Sequence, residues 1–127
     1  MSDHVLDASA LLAAMLDEAG AERVRGVLPT ARIGAVNLSE VVAKLQERGI
    51  PDDEIDQSLV DLDLDVVPFD RALAVAAGKL RVATRSAGLS LGDRACLALA
   101  RASDAVALTT DRAWAKLKVG VTIEVAR

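Results

Sequence analysis

Four acidic residues stand where an α/β chain commonly does its chemistry. Asp7 closes the apolar run "HVLD", Glu40 lies in "NLSE", Asp93 in "SLGD", and Asp111 follows "VALTT". Taken singly, each has an ordinary role. Asp7 and Asp111 are placed to accept backbone N–H groups as helix N-caps. "NLSE" and "SLGD" have the form of capping boxes, with Asn37 or Ser90 as cap and the acid three residues on. Taken together they admit a second reading. In a parallel sheet, Asp7, Glu40 and Asp111 fall at the carboxyl edge, where α/β folds bind ligands. Asp93 joins them if its helix begins at that edge. Carboxylates held close together repel until protons or cations neutralise them. Hard cations such as Mg2+ and Mn2+ take oxygen ligands, so convergence of the four favours a metal site.

The elements that must position these acids can be read from the pattern. Strands are expected at 4–7, 31–36, 64–69, 105–110 and 121–125. Helix formers run from Ala8 to about Ala19, with Gly20 as the stop. "AERVRGVL" makes a second helix closed by Pro29, and Asn37 starts a third, "LSEVVAKLQER". Pro51 with Asp52, Asp53 and Glu54 opens a fourth, acids first, as the helix dipole prefers. Residues 70–86 read as one long amphipathic helix. Leu73, Ala76, Ala77, Leu80 and Ala83 face inward; Arg71, Lys79, Arg81 and Arg85 form a solvated face. "SLGDRACLALARA" is apolar nearly all round, hence central, and "DRAWAKL" is a short helix. This alternation, with short loops and no repeat or linker, gives one α/β domain over 1–127 around a mainly parallel sheet.

The totals remove several function classes. Of 127 residues 52% are apolar and 27% charged, which fits a packed domain and not a disordered chain. The net charge of -4 argues against a passive nucleic-acid binder, although bound cations would invert the local sign. Phe69 and Trp114 are the only aromatics, so platforms for stacking bases are nearly absent. Cys96 is the only cysteine, which excludes an internal disulfide, and the N-terminal stretch resembles neither a signal peptide nor a membrane span. A soluble, cytoplasmic protein is expected, with no membrane partner. Rival acidic sites fit less well. A receiver domain wants an acid pair after the first strand and a late Lys, and a haloacid-type enzyme wants D-x-D where this chain has D-A-S. Glycine-rich phosphate loops are missing, and His4 and Cys96 are too few for zinc.

Around the acids, Lys44 and Arg48 follow Glu40 at four-residue steps on one helix stripe. They would either guide a phosphate backbone or form a plain Glu40–Lys44 surface pair. Arg94 and Arg112 directly follow two of the acids and could contact phosphate or carboxylate, or simply be solvated. Trp114 and Cys96 read as core, His4 as a strand-edge residue, Asp70 as a helix cap and Asp104 as a loop residue.

"VLDASALLA", "AVNLSEVVAKL", "LSLGDRACLALA" and "LTTDRAWAKL" resemble, in order, the motifs of PIN-domain ribonucleases, most of all the VapC-type toxins of toxin–antitoxin pairs. The likeness spans the whole chain, including "VVPFD" and "VTIEVAR". It implies a PIN-like three-layer α/β/α sandwich with a central, mainly parallel sheet of about five strands. It also implies a Mg2+- or Mn2+-dependent endoribonuclease with Asp7, Glu40, Asp93 and Asp111 as the acidic quartet. Ser9 and Thr109 match the hydroxyl residues beside such a quartet, and Lys44, Arg48, Arg94 and Arg112 are candidate contacts to RNA phosphates. The implied partners are an RNA substrate, a small cognate antitoxin and a second copy of the chain. The alternative is a catalytically silent PIN module that binds RNA or a protein.

Overall fold

A computed structural model describes residues 3–127. Its sheet has five strands: β1 (His4–Leu6), β2 (Arg32–Gly34), β3 (Asp65–Val67), β4 (Val106–Thr109) and β5 (Ile123–Val125). All neighbouring pairs are parallel, in the order β3-β2-β1-β4-β5. The chain steps outward through β2 and β3, then returns to the other side of β1 for β4 and β5. That reversal makes the β1/β4 boundary a topological switch point, where the loops leaving the two strands part and open a crevice.

Seven helices flank the sheet among the described residues: α1 (Ala8–Leu16), α2 (Ala21–Val27), α3 (Ala35–Glu47), α4 (Asp52–Leu62), α5 (Arg71–Lys79), α6 (Arg81–Thr84) and α7 (Leu91–Ala102). Successive strand residues point to opposite faces, so the sheet divides the core in two. Leu6, Ile33 and Leu108 pack with Leu11, Val24, Val41 and Leu45 on one side. Val5 and Ala107 pack with Leu80, Cys96, Leu97 and Trp114 on the other. The result is the three-layer α/β/α sandwich expected from the sequence. Among the described residues no helix is long and apolar enough to cross a membrane.

Several boundaries differ from the sequence reading. The first helix stops at Leu16, because Asp17 turns left-handed (φ 56°) and returns its N–H to Ala13; short polar side chains tolerate that conformation. The strand expected over 31–36 covers only Arg32–Gly34, and α3 begins at Ala35, a stronger helix former than the Asn37 expected to start it. The single helix expected over 70–86 is broken at Leu80 into α5 and α6, with a 3-10 turn at Arg85–Ala87. There the Thr84 hydroxyl bonds back to the Leu80 carbonyl at 2.8 Å, a contact that bends helices. Thr84 is buried in consequence, and Ala83, expected inside, is exposed. "DRAWAKL" forms a 3-10 turn over Arg112–Lys116 in place of an α-helix. His4 is the first residue of β1, at the start of the strand, and faces Glu124 at 3.4 Å.

Candidate active site

Asp7 follows β1 directly, at the switch point. Its backbone N–H bonds to Leu108 of β4 at 3.1 Å, so it enters the crevice on a fixed strand pair. It is 4% exposed, and both carboxylate oxygens are occupied. Oδ1 accepts from the Ala10 N–H (2.8 Å) and the Ser9 hydroxyl (2.7 Å); Oδ2 accepts from the Thr109 hydroxyl at 2.5 Å. The network continues outward. Ser9 Oγ accepts from the Thr110 N–H and Thr109 Oγ1 from the Asp111 N–H, each at 3.0 Å. Burial raises the Asp7 pKa despite these bonds, and the charge of Asp93 pushes the same way. Asp7 thus caps α1 while being buried at the switch point.

Glu40 reaches the crevice from the other side. A Cβ on Gly92 would collide with its carboxylate, so Glu40 lies against the bare backbone of the first turn of α7. Helix N-termini favour negative charge there. Burial raises the Glu40 pKa; the Asn37 bond and Lys44 lower it, whereas Asp93 and Asp7 raise it. Cys96 lies beneath. Its thiol is pushed up first by burial, then by the charges of Asp7, Asp93 and Glu40. Asp93 thus opposes ionisation of both Asp7 and Glu40, and all three carboxylates act on the buried Cys96 thiol.

Asp93 and Asp111 are occupied differently. Asp93 completes a capping box with Ser90, accepting the Ser90 N–H at 3.0 Å while the Ser90 hydroxyl accepts the Asp93 N–H. Asp111 is exposed and accepts from the Ala113 N–H at 3.0 Å. Each keeps one oxygen without a protein hydrogen bond among the described residues. In this arrangement no three acidic, His or Cys side chains among the described residues are gathered tightly enough to grip one ion. The donor set, all carboxylate and hydroxyl oxygen with the one thiol buried beneath, suits Mg2+ or Mn2+ and not a soft metal.

One residue was misread from the sequence. Asn37 is not a helix cap: Gly34 holds that position, without a side-chain bond. Asn37 lies inside α3, 1% exposed, and its amide bridges Glu40 Oε1 (3.1 Å) and the Gly92 carbonyl (3.0 Å). It ties α3 to α7 and sets the Glu40 carboxylate. The signal was the three-residue spacing to Glu40, which is same-face spacing within a helix as much as cap spacing. Asn37→Ala should lower stability by about 1–3 kcal/mol, because it leaves the buried Gly92 carbonyl and Glu40 without a donor. Asn37→Asp should be worse, since a carboxylate then faces Glu40. Thermal unfolding of the two variants checks the order.

The cations expected near the acids mostly turn elsewhere. Lys44 pairs with Glu47 at 3.7 Å and Arg48 with Glu18 at 3.2 Å, so the simple Glu40–Lys44 ion pair does not form. Arg94 donates to the Ala77 carbonyl of α5 at 3.2 Å, and its Nε is buried without a partner. Arg112 is exposed beside Asp111. Trp114 is fully buried, Cys96 is core, and Asp70 caps α5, as expected.

The fold is an α/β/α domain with the buried Asp7 at the switch point of its parallel sheet. The chain belongs to the PIN-domain family, whose model matches residues 4–120. No curated protein sequence matches it. Among solved structures it is similar to a toxin–antitoxin complex from Klebsiella pneumoniae, with TM-score 0.74 and 15% identity over 98% of each chain. It is also similar to DNA-bound VapBC from Salmonella typhimurium, with TM-score 0.72 and 18% identity over 100% of both chains. A third likeness is to VapC20 of Mycobacterium tuberculosis, a toxin that cleaves the sarcin–ricin loop. There the TM-score is 0.72 and the identity 16%, over 94% of this chain and 99% of that one. At such identities the shared property is the fold.

Proposed function

We propose that this chain is a VapC-type toxin: a Mg2+- or Mn2+-dependent endoribonuclease that hydrolyses RNA phosphodiester bonds with metal-activated water. The observation that carries the reading is geometric: Asp7 is buried at the carboxyl end of β1 and held by Ser9 and Thr109, and Glu40 lies against the first turn of α7, which bears Asp93, whose charge opposes ionisation of both. Such strain on charge persists in functional sites where a cation or substrate relieves it. Asp7, Glu40, Asp93 and Asp111 would hold the ions. Bound Mg2+ or Mn2+ there supplies a lowered water pKa and neutralises charge on the phosphate and the leaving oxygen.

The rest of the work falls to the chain. Ser9, Thr109 and the Ala10 N–H fix Asp7 in one orientation. Asn37 fixes Glu40. Asp93 and Asp111 each offer an oxygen from a helix or turn start while the other anchors the backbone. Partners follow by likeness: a small antitoxin covering the crevice, a second copy of the chain, and a cytoplasmic RNA. A catalytically silent PIN module is the alternative, and the capping roles of Asp93 and Asp111 favour it.

Total cellular RNA incubated with the purified protein separates the two. Discrete fragments that require Mg2+ or Mn2+, vanish with chelator and vanish in Asp93→Asn are the expected result. Intact RNA with metal present, from folded protein free of antitoxin, would leave the silent module.

A further inference from the structure

Charge along this chain is strongly segregated. Residues 71–118 carry nine Lys and Arg against three Asp and Glu; the remainder carries six against sixteen. Two of those three acids, Asp93 and Asp111, belong to the crevice. The cations of the acidic part are largely neutralised, with Arg23, Arg25, Lys44 and Arg48 all in ion pairs. Arg81, Arg85, Arg112, Lys116 and Lys118 are exposed, and none has a carboxylate partner among the described residues. A domain with an excess of acids has left one face with unspent positive charge.

That face contains a cleft of about 480 Å³ between the end of α6 with its following turn and the Arg112–Lys116 turn with its following residues. One wall is Ala83, Ser86 and Ala87; the other is Ala113, Leu117 and the two lysines 116 and 118. The cleft adjoins the proposed site directly, since Ala113 gives its N–H to the Asp111 carboxylate. A second cleft of about 470 Å³, lined by Arg25 with Asp61, Asp63 and Asp65, has the opposite character and would repel a polyanion.

We propose that the Ala83–Ala87/Ala113–Lys118 cleft is a nucleotide subsite for the RNA strand next to the bond cleaved at the acidic crevice. Lys116 and Lys118 take backbone phosphates. The small apolar walls accept a base without stacking, which suits a chain whose only tryptophan is fully buried. Ser86 offers a hydroxyl to a base edge or ribose. The subsite rests on the ribonuclease reading, and it accounts for how an acidic protein engages a polyanion: the acids hold cations while a separate basic wall holds the strand.

The test is binding of a short fluorescent single-stranded RNA in chelator, where no cleavage occurs, read by anisotropy over a salt series. Lys116→Gln/Lys118→Gln should weaken binding roughly tenfold and reduce the salt slope by about 1.4, the value for two lost phosphate contacts on a single strand. Ala87→Phe, which fills the cleft without changing charge, should weaken binding while leaving the slope alone. Arg23→Gln/Arg25→Gln removes the same charge from ion-paired positions on the acidic side and should change affinity by less than about threefold. Equal losses from both charge pairs would mean general attraction and overturn the subsite. Cleavage by the wild type with unaltered binding by the cleft variants would overturn it too, leaving the nuclease reading intact. A wild type that neither binds RNA in chelator nor cuts it with metal would remove both; a cleft that captured an acidic protein instead would then show as loss of that complex in the lysine variant.

Discussion

Gly92→Ala should cost at least about 100-fold in RNA cleavage while leaving the protein about as stable as the wild type. The expectation runs against propensity, because alanine in the first turn of a helix is normally an improvement on glycine by about 1 kcal/mol. At Gly92 the added methyl meets the carboxylate of Glu40. The obstructing group is the far end of a flexible side chain, so the clash is relieved by rotation of Glu40 and not by unfolding. That rotation breaks the 3.1 Å bond from Asn37 and moves the carboxylate away from Asp7 and Asp93. Displacements of about 1 Å in a catalytic group cost about 100-fold, and this one is of that order or larger. The helix gain and the lost hydrogen bond roughly cancel in stability. Cleavage rates and melting temperatures measured side by side decide it. Wild-type activity in Gly92→Ala would mean that Glu40 has no fixed place in the reaction.

The order of strands and helices was legible in the sequence because apolar period and loop chemistry both announce it. Asp7, Asp93 and Asp111 stand out in the letters because each ends a strand or begins a helix or turn, whereas Glu40, expected in the first turn of its helix, lies a turn further into α3. What the pattern did not disclose depends on contacts between distant segments. Asn37 sits at a position whose local chemistry suits a cap; only the approach of α7, bringing the Gly92 carbonyl within 3.0 Å, makes it a bridge. Leu80 and Thr84 continue a helical apolar stripe, and the break there comes from a side-chain bond to the backbone that periodicity does not encode. The partners of Lys44 and Arg48 illustrate the same limit. Four-residue spacing to Glu40 permits a pair, but Glu47 and Glu18 are nearer in space. Charge segregation between residues 71–118 and the rest was visible in the letters, yet it acquired meaning only when those residues were seen to border a cleft beside Asp111.

Asp7→Asn should abolish cleavage, by at least about 1000-fold or about 4 kcal/mol in the barrier, without unfolding the protein. An asparagine keeps an oxygen for the Ala10 N–H and the Ser9 hydroxyl, and its amide can donate to Thr109 Oγ1. Asp7→Ala removes every acceptor and should destabilise by about 1–3 kcal/mol. The two variants also differ from the wild type in pH dependence, and the sign is fixed. Burial holds the Asp7 carboxyl above its ordinary 3.8 in the folded state, so the native protein binds that proton more tightly than the unfolded chain does. Its contribution to stability is therefore full below 3.8 and is lost as pH rises through the shifted value. Asp7→Asn has no such loss, and its advantage in melting temperature over the wild type should grow from acid to neutral pH in chelator. Added Mn2+ should then close the gap. An ion that binds only the folded wild type stabilises it by mass action, and it finds no charged Asp7 in the variant. If Mn2+ raised both melting temperatures equally, Asp7 would not hold the ion, and the proposed metal quartet would lose its central member.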